Sequence, residues 1–356
     1  MDVGMQMVFT SHGWEGIADS DVYDEEIRLA RLADELGFDV VWSVEHHFFD
    51  YSFCPDNAQL LSYLTTQLKR ADVGTAAVIL PWNDPLRVAE KISMLDYLAQ
   101  GRLRFGVGRG LSRREFANFR GIAMEQSRER FDEAAALIVD ALATGHMEGA
   151  GTFYPQPRTP IRPAPMRPFA DRLYAVASSD DSVESAARLR ARMVMFADRS
   201  WEHRLPSVEK HRTRYQELHG VAAPPPMTCD FCYCGPDAQS AEEKATTYLD
   251  TYLDSILEHY EIMGEHFKTT KGYASYAEAS KSLQKMGKAG FLKGFMSATS
   301  WGTPDRILQG LEARRKMLGR FELATSFRFG GIPYPEAEAS LRLFAKEVLP
   351  VLKTWN

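Results

Sequence analysis

Three clusters in this 356-residue sequence hold side chains that chemistry can use. The first is Glu45-His46-His47, a carboxylate and two imidazoles directly after the apolar run Val40-Val41-Trp42-Ser43-Val44. Imidazole titrates near neutrality, so it can take or give a proton, and a nearby carboxylate tunes that exchange. Neighbouring residues on a strand face opposite ways, so only one histidine of the pair faces a site. The second is Arg109 within Gly106-Val107-Gly108-Arg109-Gly110. Glycines let backbone approach a ligand, and a guanidinium grips a phosphate through paired hydrogen bonds. The third is Ala177-Ser178-Ser179-Asp180-Asp181-Ser182, at a strand-to-helix junction where hydroxyls and free backbone N–H groups form an anion site. Singly, each has a plain structural reading: loop histidines, a Gly-rich turn with a surface arginine, an N-cap cluster. Arg109 and the serines come from neighbouring strands and together point to a phosphorylated cofactor.

The pair Cys229-x-x-Cys232, with Cys234, has zinc or redox spacing. A structural zinc needs a fourth ligand, and His219 is the only candidate close in sequence. The run around these cysteines also reads as an interior strand, where free thiols pack as small hydrophobes, and no metal is expected.

The elements that must position these groups alternate. Strand patterns fall at 5–10, 40–43, 73–80, 103–107, 173–176, 193–196, 227–233 and 325–329, with amphipathic helices between them. The near-continuous apolar run Val73-Gly74-Thr75-Ala76-Ala77-Val78-Ile79-Leu80 marks a strand covered on both faces. No Gly-x-Gly-x-x-Gly follows the first strand, which disfavours an open dinucleotide-binding sheet. Eight such units without a composition break predict a single-domain (β/α)8 TIM barrel over 1–356, with chemistry at the C-terminal strand ends. Two stretches interrupt the rhythm. Residues 145–171 hold six prolines and read as a long ordered loop after the fourth helix. Residues 268–294, rich in Lys, Gly and Ser, read as a mobile insertion, with Lys281, Lys285 and Lys288 on a solvated face.

Composition narrows the class further. A net charge of -6 with no basic block disfavours nucleic acid, and no apolar run reaches membrane-spanning length. Met1-Asp2-Val3-Gly4-Met5 lacks a secretory pattern, so the expectation is a cytoplasmic protein.

Glu45-His46-His47-Phe48, Gly74-Thr75-Ala76-Ala77-Val78-Ile79-Leu80-Pro81, and Gly101-Arg102-Leu103-Arg104-Phe105-Gly106 with Arg109-Gly110 resemble the bacterial luciferase-like flavin-dependent monooxygenases. The likeness runs from Met7 to Leu352 and is strongest to the luciferase α subunit, whose active-site loop resembles Thr269-Thr270-Lys271-Gly272-Tyr273. The resemblance implies a two-component monooxygenase that receives FMNH2 from a separate flavin reductase. With O2 it would form a flavin hydroperoxide and oxygenate a small organic substrate. His46 matches the catalytic histidine, with Glu45 or a neighbour tuning it. Ala76 and Ala77 match a cis peptide against the flavin ring, and Arg109 matches the phosphate-binding arginine. Ser178, Ser179 and Ser182 fall where the family has Glu, Ser and Thr near the FMN phosphate. Gly108 stands where luciferase has a cysteine, and Ser178 where it has the glutamate. A homodimer is expected, since relatives pair through barrel helices. Deazaflavin-dependent hydride transfer on the same fold, or flavin binding without catalysis, are the alternatives.

Overall fold

Hydrophobicity is continuous along the first strands because both of their faces are covered. All five residues of β1 (Val3–Met7) and all four of β2 (Val40–Ser43) are buried. In the computed structural model, which describes residues 1–264, 267 and 273–355, these strands belong to a closed parallel barrel. Its staves are β1, β2, β3 (Asp72–Thr75) continued by β4 (Val78–Ile79), β5 (Leu103–Gly108), β8 (Leu173–Val176), β9 (Arg192–Phe196), β10 (Met227–Cys234), with the short β11 (Ser300–Gly302) paired to its end, and β12 (Glu322–Ser326). The ring closes where Cys229 of β10 pairs with Phe196 and Ala324, and Thr325 of β12 pairs with Met5. The expected eight-stranded barrel is therefore the observed fold. Inside it Trp42 meets Tyr174 edge to face. Gly4 and Gly74 on the flanking strands make room for that indole: a Cβ on them would lie 2.5 and 2.3 Å from it.

Helices return the chain between staves. The ones that matter here are α1 (Asp19–Leu36), α2 (Asn57–Leu64), α3 (Pro85–Leu98), the short α4 (Arg113–Phe116) and α5 (Ser127–Thr144). They are followed by α6 (Asp180–Arg188), α7 (Trp201–His219), α8 (Ala238–His259) and α9 (Ala274–Ala298). Side-chain caps set several starts: Asp56 and Asp84 accept the Gln59 and Arg87 N–H groups at 3.0 Å.

Both interruptions differ from expectation. Within 145–171 lies an antiparallel hairpin, β6 (His146–Gly149) with β7 (Gln156–Pro160). Its turn is ordered by Glu133, whose carboxylate accepts the N–H groups of Thr152, Phe153 and Tyr154. Of the insertion expected at 268–294, residues 268–272 lie outside the described residues, and the remainder falls within α9, bent where Gly287 takes φ 70° and ψ 171°. Leu283, Leu292 and Phe295 form its buried stripe. Among the described residues, no helix is long and apolar enough to cross a membrane.

Candidate active site

The C-terminal strand ends open into one cavity of about 680 Å³, lined by Glu45, His46, Ala76, Ala77, Arg109, Ser178, Ser179 and Ser182 together. That volume suits a cofactor and a small substrate, since ligand pockets run to roughly 300–1,000 Å³.

His46 and His47 follow β2 in a loop, and they part as alternation requires. His46 lines the cavity, while His47 packs against Trp82 and Phe119. Glu45 goes with His47. Its carboxylate accepts the Ile79 N–H at 2.8 Å and the Asn83 amide at 3.1 Å, and lies 3.5 Å from His47 Nε2. The expectation named Glu45 or a neighbour beside His46, and Glu45 is not the carboxylate that meets it. That group is Glu115, which the sequence reading missed. Ser112 caps α4, and the helix delivers Glu115 Oε1 to 3.1 Å from His46 Nδ1 and 2.7 Å from the His47 N–H. Its Oε2 lies 3.5 Å from Nε2 of His259, the last residue of α8. Burial alone would raise Glu115, but the His46 charge and the imidazoles facing its two oxygens outweigh it and bring it down to about 2. Burial holds His259 below the ordinary histidine range.

His46, Glu115 and His259 present ligand-type atoms within 4.8 Å of one another. Zinc–ligand bonds of 2.0–2.1 Å put donor atoms roughly 3.3 Å apart, so this spread describes a hydrogen-bonded array better than a metal cage. The cysteines make no cage either. Cys229 packs in the barrel interior with Trp42, Cys232 on the opposite face under the helices, and His219 Nε2 lies 2.7 Å from the Ala187 carbonyl.

The Ala76–Ala77 peptide is cis, and the Asn57 amide donates to the Ala77 carbonyl at 3.2 Å. Beside it, a Cβ on Gly108 would lie 3.0 Å from Ile79 Cδ1 and 3.4 Å from Ala77 Cβ, so glycine keeps this floor low. At the other end Arg109 stacks on Tyr273, its Cζ 3.7 Å from the ring centroid. Tyr273 in turn donates its hydroxyl to the Gly110 carbonyl. Next to it stands Arg128, in the first turn of α5 and only 6% exposed. Its Nη1 reaches Ser185 Oγ at 3.3 Å, while Nε and Nη2 are buried with no hydrogen-bond partner among the described residues. Burial and the charge of Arg109 both lower its hold on a proton. A cation in a helix's first turn also opposes the helix dipole. Every one of these costs is relieved by an anion between the two guanidinium groups. Ser179 and Ser182 face the same space but form a capping box at the start of α6, with Ser179 N–H donating to Ser182 Oγ at 2.8 Å. Arg128, unlike Arg109, had no glycine frame to flag it. Its only sequence signal was an arginine at a helix start.

The remaining wall, between α8 and α9, is apolar: Ile256, Leu257, Phe291 and Phe295, with Tyr51, Tyr252 and Tyr260 joined through their hydroxyls.

A closed barrel gathering an imidazole–carboxylate pair and two guanidinium groups at its C-terminal mouth defines the class, a (β/α)8 enzyme with its site at the strand ends. More narrowly, the chain belongs to the luciferase-like monooxygenase family, whose model matches residues 1–320. It is 26% identical over 342 residues to the alkanal monooxygenase alpha chain of Photorhabdus laumondii, covering 94% of this chain and 93% of that one. It is 28% identical over 168 residues to the oxygenase component of flavin-dependent trigonelline monooxygenase from Acinetobacter baylyi, 47% of this chain and 46% of that one. The crystal structure of monooxygenase RslO1 from Streptomyces bottropensis matches with a TM-score of 0.80 and 25% identity, over 99% of this chain and 100% of that chain. The family expected from Glu45–Phe48 and the Arg109 loop is thereby borne out.

Proposed function

We propose that this protein is the oxygenase of a two-component system, taking FMNH2 from a separate reductase and inserting one atom of O2 into a small apolar substrate. The other oxygen leaves as water and FMN is released oxidised. The observation that carries the reading is the pair Arg109 and Arg128, with two buried Arg128 nitrogens unpartnered among the described residues at one end of the cavity. A dianionic phosphate satisfies both cations at once. Ala76, Ala77 and Gly108 would hold the flavin ring, and Ser178, Ser179 and Ser182 would flank its phosphate. When bound, the reduced flavin supplies the electron pair that activates oxygen. His46, held by Glu115, moves the proton at the reacting edge. Glu45 braces the His47 loop from behind. Ile256, Leu257, Phe291 and Phe295 keep water away from the reacting atoms and shape the substrate end. Tyr63 on α2 with Met94, Tyr97 and Leu98 on α3 leave an exposed apolar face, which supports a homodimer.

The phosphate assignment has a direct test. Arg128→Ala and Arg109→Ala should each weaken FMN by roughly ten- to a hundredfold, the loss of a charged hydrogen-bonding partner. Riboflavin, which lacks the phosphate, should be nearly unaffected. Equal weakening of both flavins in equilibrium titrations rejects the assignment. For the chemistry, His46→Ala mixed with FMNH2 and oxygen should release more of its reducing equivalents as hydrogen peroxide than the native protein. No difference in peroxide yield would remove His46 from the reaction. Stabilisation by a reduced deazaflavin but not by FMNH2, read as Tm, would point to hydride transfer instead.

A further inference from the structure

His259 comes from an element that no motif ties to the reaction, yet it completes a row of three side chains. It is 1% exposed, and neither ring nitrogen has a well-formed hydrogen bond among the described residues. Its Nε2 nonetheless points at the Glu115 oxygen that His46 does not use, at 3.5 Å. Its ring stacks on Tyr51 at 4.4 Å between centroids and 11° between planes, and Tyr51 meets His46 edge-on at 5.0 Å. The His259 carbonyl accepts the hydroxyl of Ser112, the cap of the helix that carries Glu115, at 3.3 Å. The end of α8 is thus fastened both to the carboxylate and to the helix holding it. The other titratable and charged groups around the pair are few. Arg114 of α4 lowers His259 through its charge. Tyr252 of α8 and Tyr260 just beyond its end bond the Tyr51 hydroxyl at 3.0 and 3.2 Å, and His47 contributes its backbone N–H to Glu115.

An ionised carboxylate only accepts, so each imidazole nitrogen facing it must carry hydrogen. His46 is then protonated at Nδ1, leaving Nε2 as its basic atom, and His259 is protonated at Nε2. Two imidazoles share one negative charge, and their centroids are only 5.5 Å apart. Whatever His259 draws from Glu115 is not available to His46, and a proton added to one imidazole repels a proton added to the other. Resting on the reading of His46 as the residue that moves the proton, we propose that His259 is a positioning residue: through the shared Glu115 carboxylate it fixes the tautomer of His46 and competes with it for that one negative charge.

The test uses the flavin-free protein. In 15N NMR of histidine-labelled native protein, with His46 and His259 assigned by single substitution, neutral His46 should appear as the Nδ1–H form and neutral His259 as the Nε2–H form. The opposite tautomer at either residue overturns the proposal. His259→Phe keeps a ring against Tyr51 but removes the donor, so the His46 signals should titrate at higher pH. Glu115→Gln should move them to lower pH and mix the tautomers. His259→Gln, whose amide restores a donor, should return the titration toward the native position. A merely structural role for His259 predicts no change in the His46 titration in a folded His259→Phe protein, or a change in the same direction as Glu115→Gln; either overturns the proposal. Because no flavin is present, these outcomes stand apart from the oxygenase assay. Normal tautomers in a protein that yields no oxygenated product with FMNH2 and O2 would reject the function while leaving the array intact.

Discussion

Two carboxylates stand behind the two adjacent histidines, and they behave in opposite ways. Glu45 and Glu115 are both buried, 5% and 0% exposed at their side chains. Glu45 is next to His46 in sequence, yet its oxygens are taken by the Ile79 N–H, the Asn83 amide and His47. Burial dominates there and raises its proton affinity. Glu115 lies 69 residues from His46, faces it directly and shares a second imidazole. There the imidazoles outweigh burial and hold the carboxylate ionised down to about pH 2. The same group at the same depth has its proton affinity raised in one place and lowered in the other. Partner charge decides which.

The largest effect that bears on this contrast is expected from Glu115→Gln. With the fixed charge gone, His46 loses the group that orients its ring, and substrate oxygenation should fall about a hundredfold or more, with hydrogen peroxide rising in compensation. Stability should respond with a definite sign. The folded-state value of about 2 lies below the ordinary 4.5, so the carboxylate contributes stability above pH 4.5 that disappears as pH falls from about 4.5 through about 2. That contribution is on the order of 3 kcal/mol. Native and Glu115→Gln proteins should therefore differ most in Tm near neutrality and converge as pH drops toward 2. Parallel Tm curves across that range would show that Glu115 carries no such charge.

How much of this was legible beforehand differs between the staves and what hangs from them. Runs such as Val40–Ser43 and Leu103–Gly108 declare themselves because a doubly covered strand must be apolar throughout. The mouth of the barrel follows from knowing where such strands end. Arg109 was visible because glycines frame it and the serines of a neighbouring strand end point to the same phosphate. Glu115 was not, since Ser112-Arg113-Arg114-Glu115 reads as an exposed polar turn, and only the fold brings it under His46. His259 was hidden for a related reason: a histidine closing a long helix is what the helix dipole favours anyway. Helix α9 was misread because Lys, Gly and Ser dilute its apolar stripe, and Gly287 breaks its period at the bend. The proposed dimer face and the substrate depend on surfaces and shapes to which no short motif corresponds.

A smaller effect sharpens the contrast from its other side. Glu45→Gln should change oxygenation by no more than about threefold, because its carboxylate bonds Ile79, Asn83 and His47 rather than His46 and an amide oxygen can still accept the Ile79 N–H. Here the pH dependence runs the other way. Glu45 is raised in the folded state, so its carboxyl favours folding at low pH and that advantage is lost as pH rises through the folded-state value. The glutamine has no proton to lose. The Tm of Glu45→Gln relative to native protein should accordingly climb as pH rises from the acid range to neutrality, while that of Glu115→Gln declines. Measuring both variants across one pH series by calorimetry sets the two slopes side by side. Slopes of the same sign would mean that the imidazoles facing Glu115 do not dominate its environment. Glu45 and Glu115 would then be two braces rather than a brace and a fixed charge.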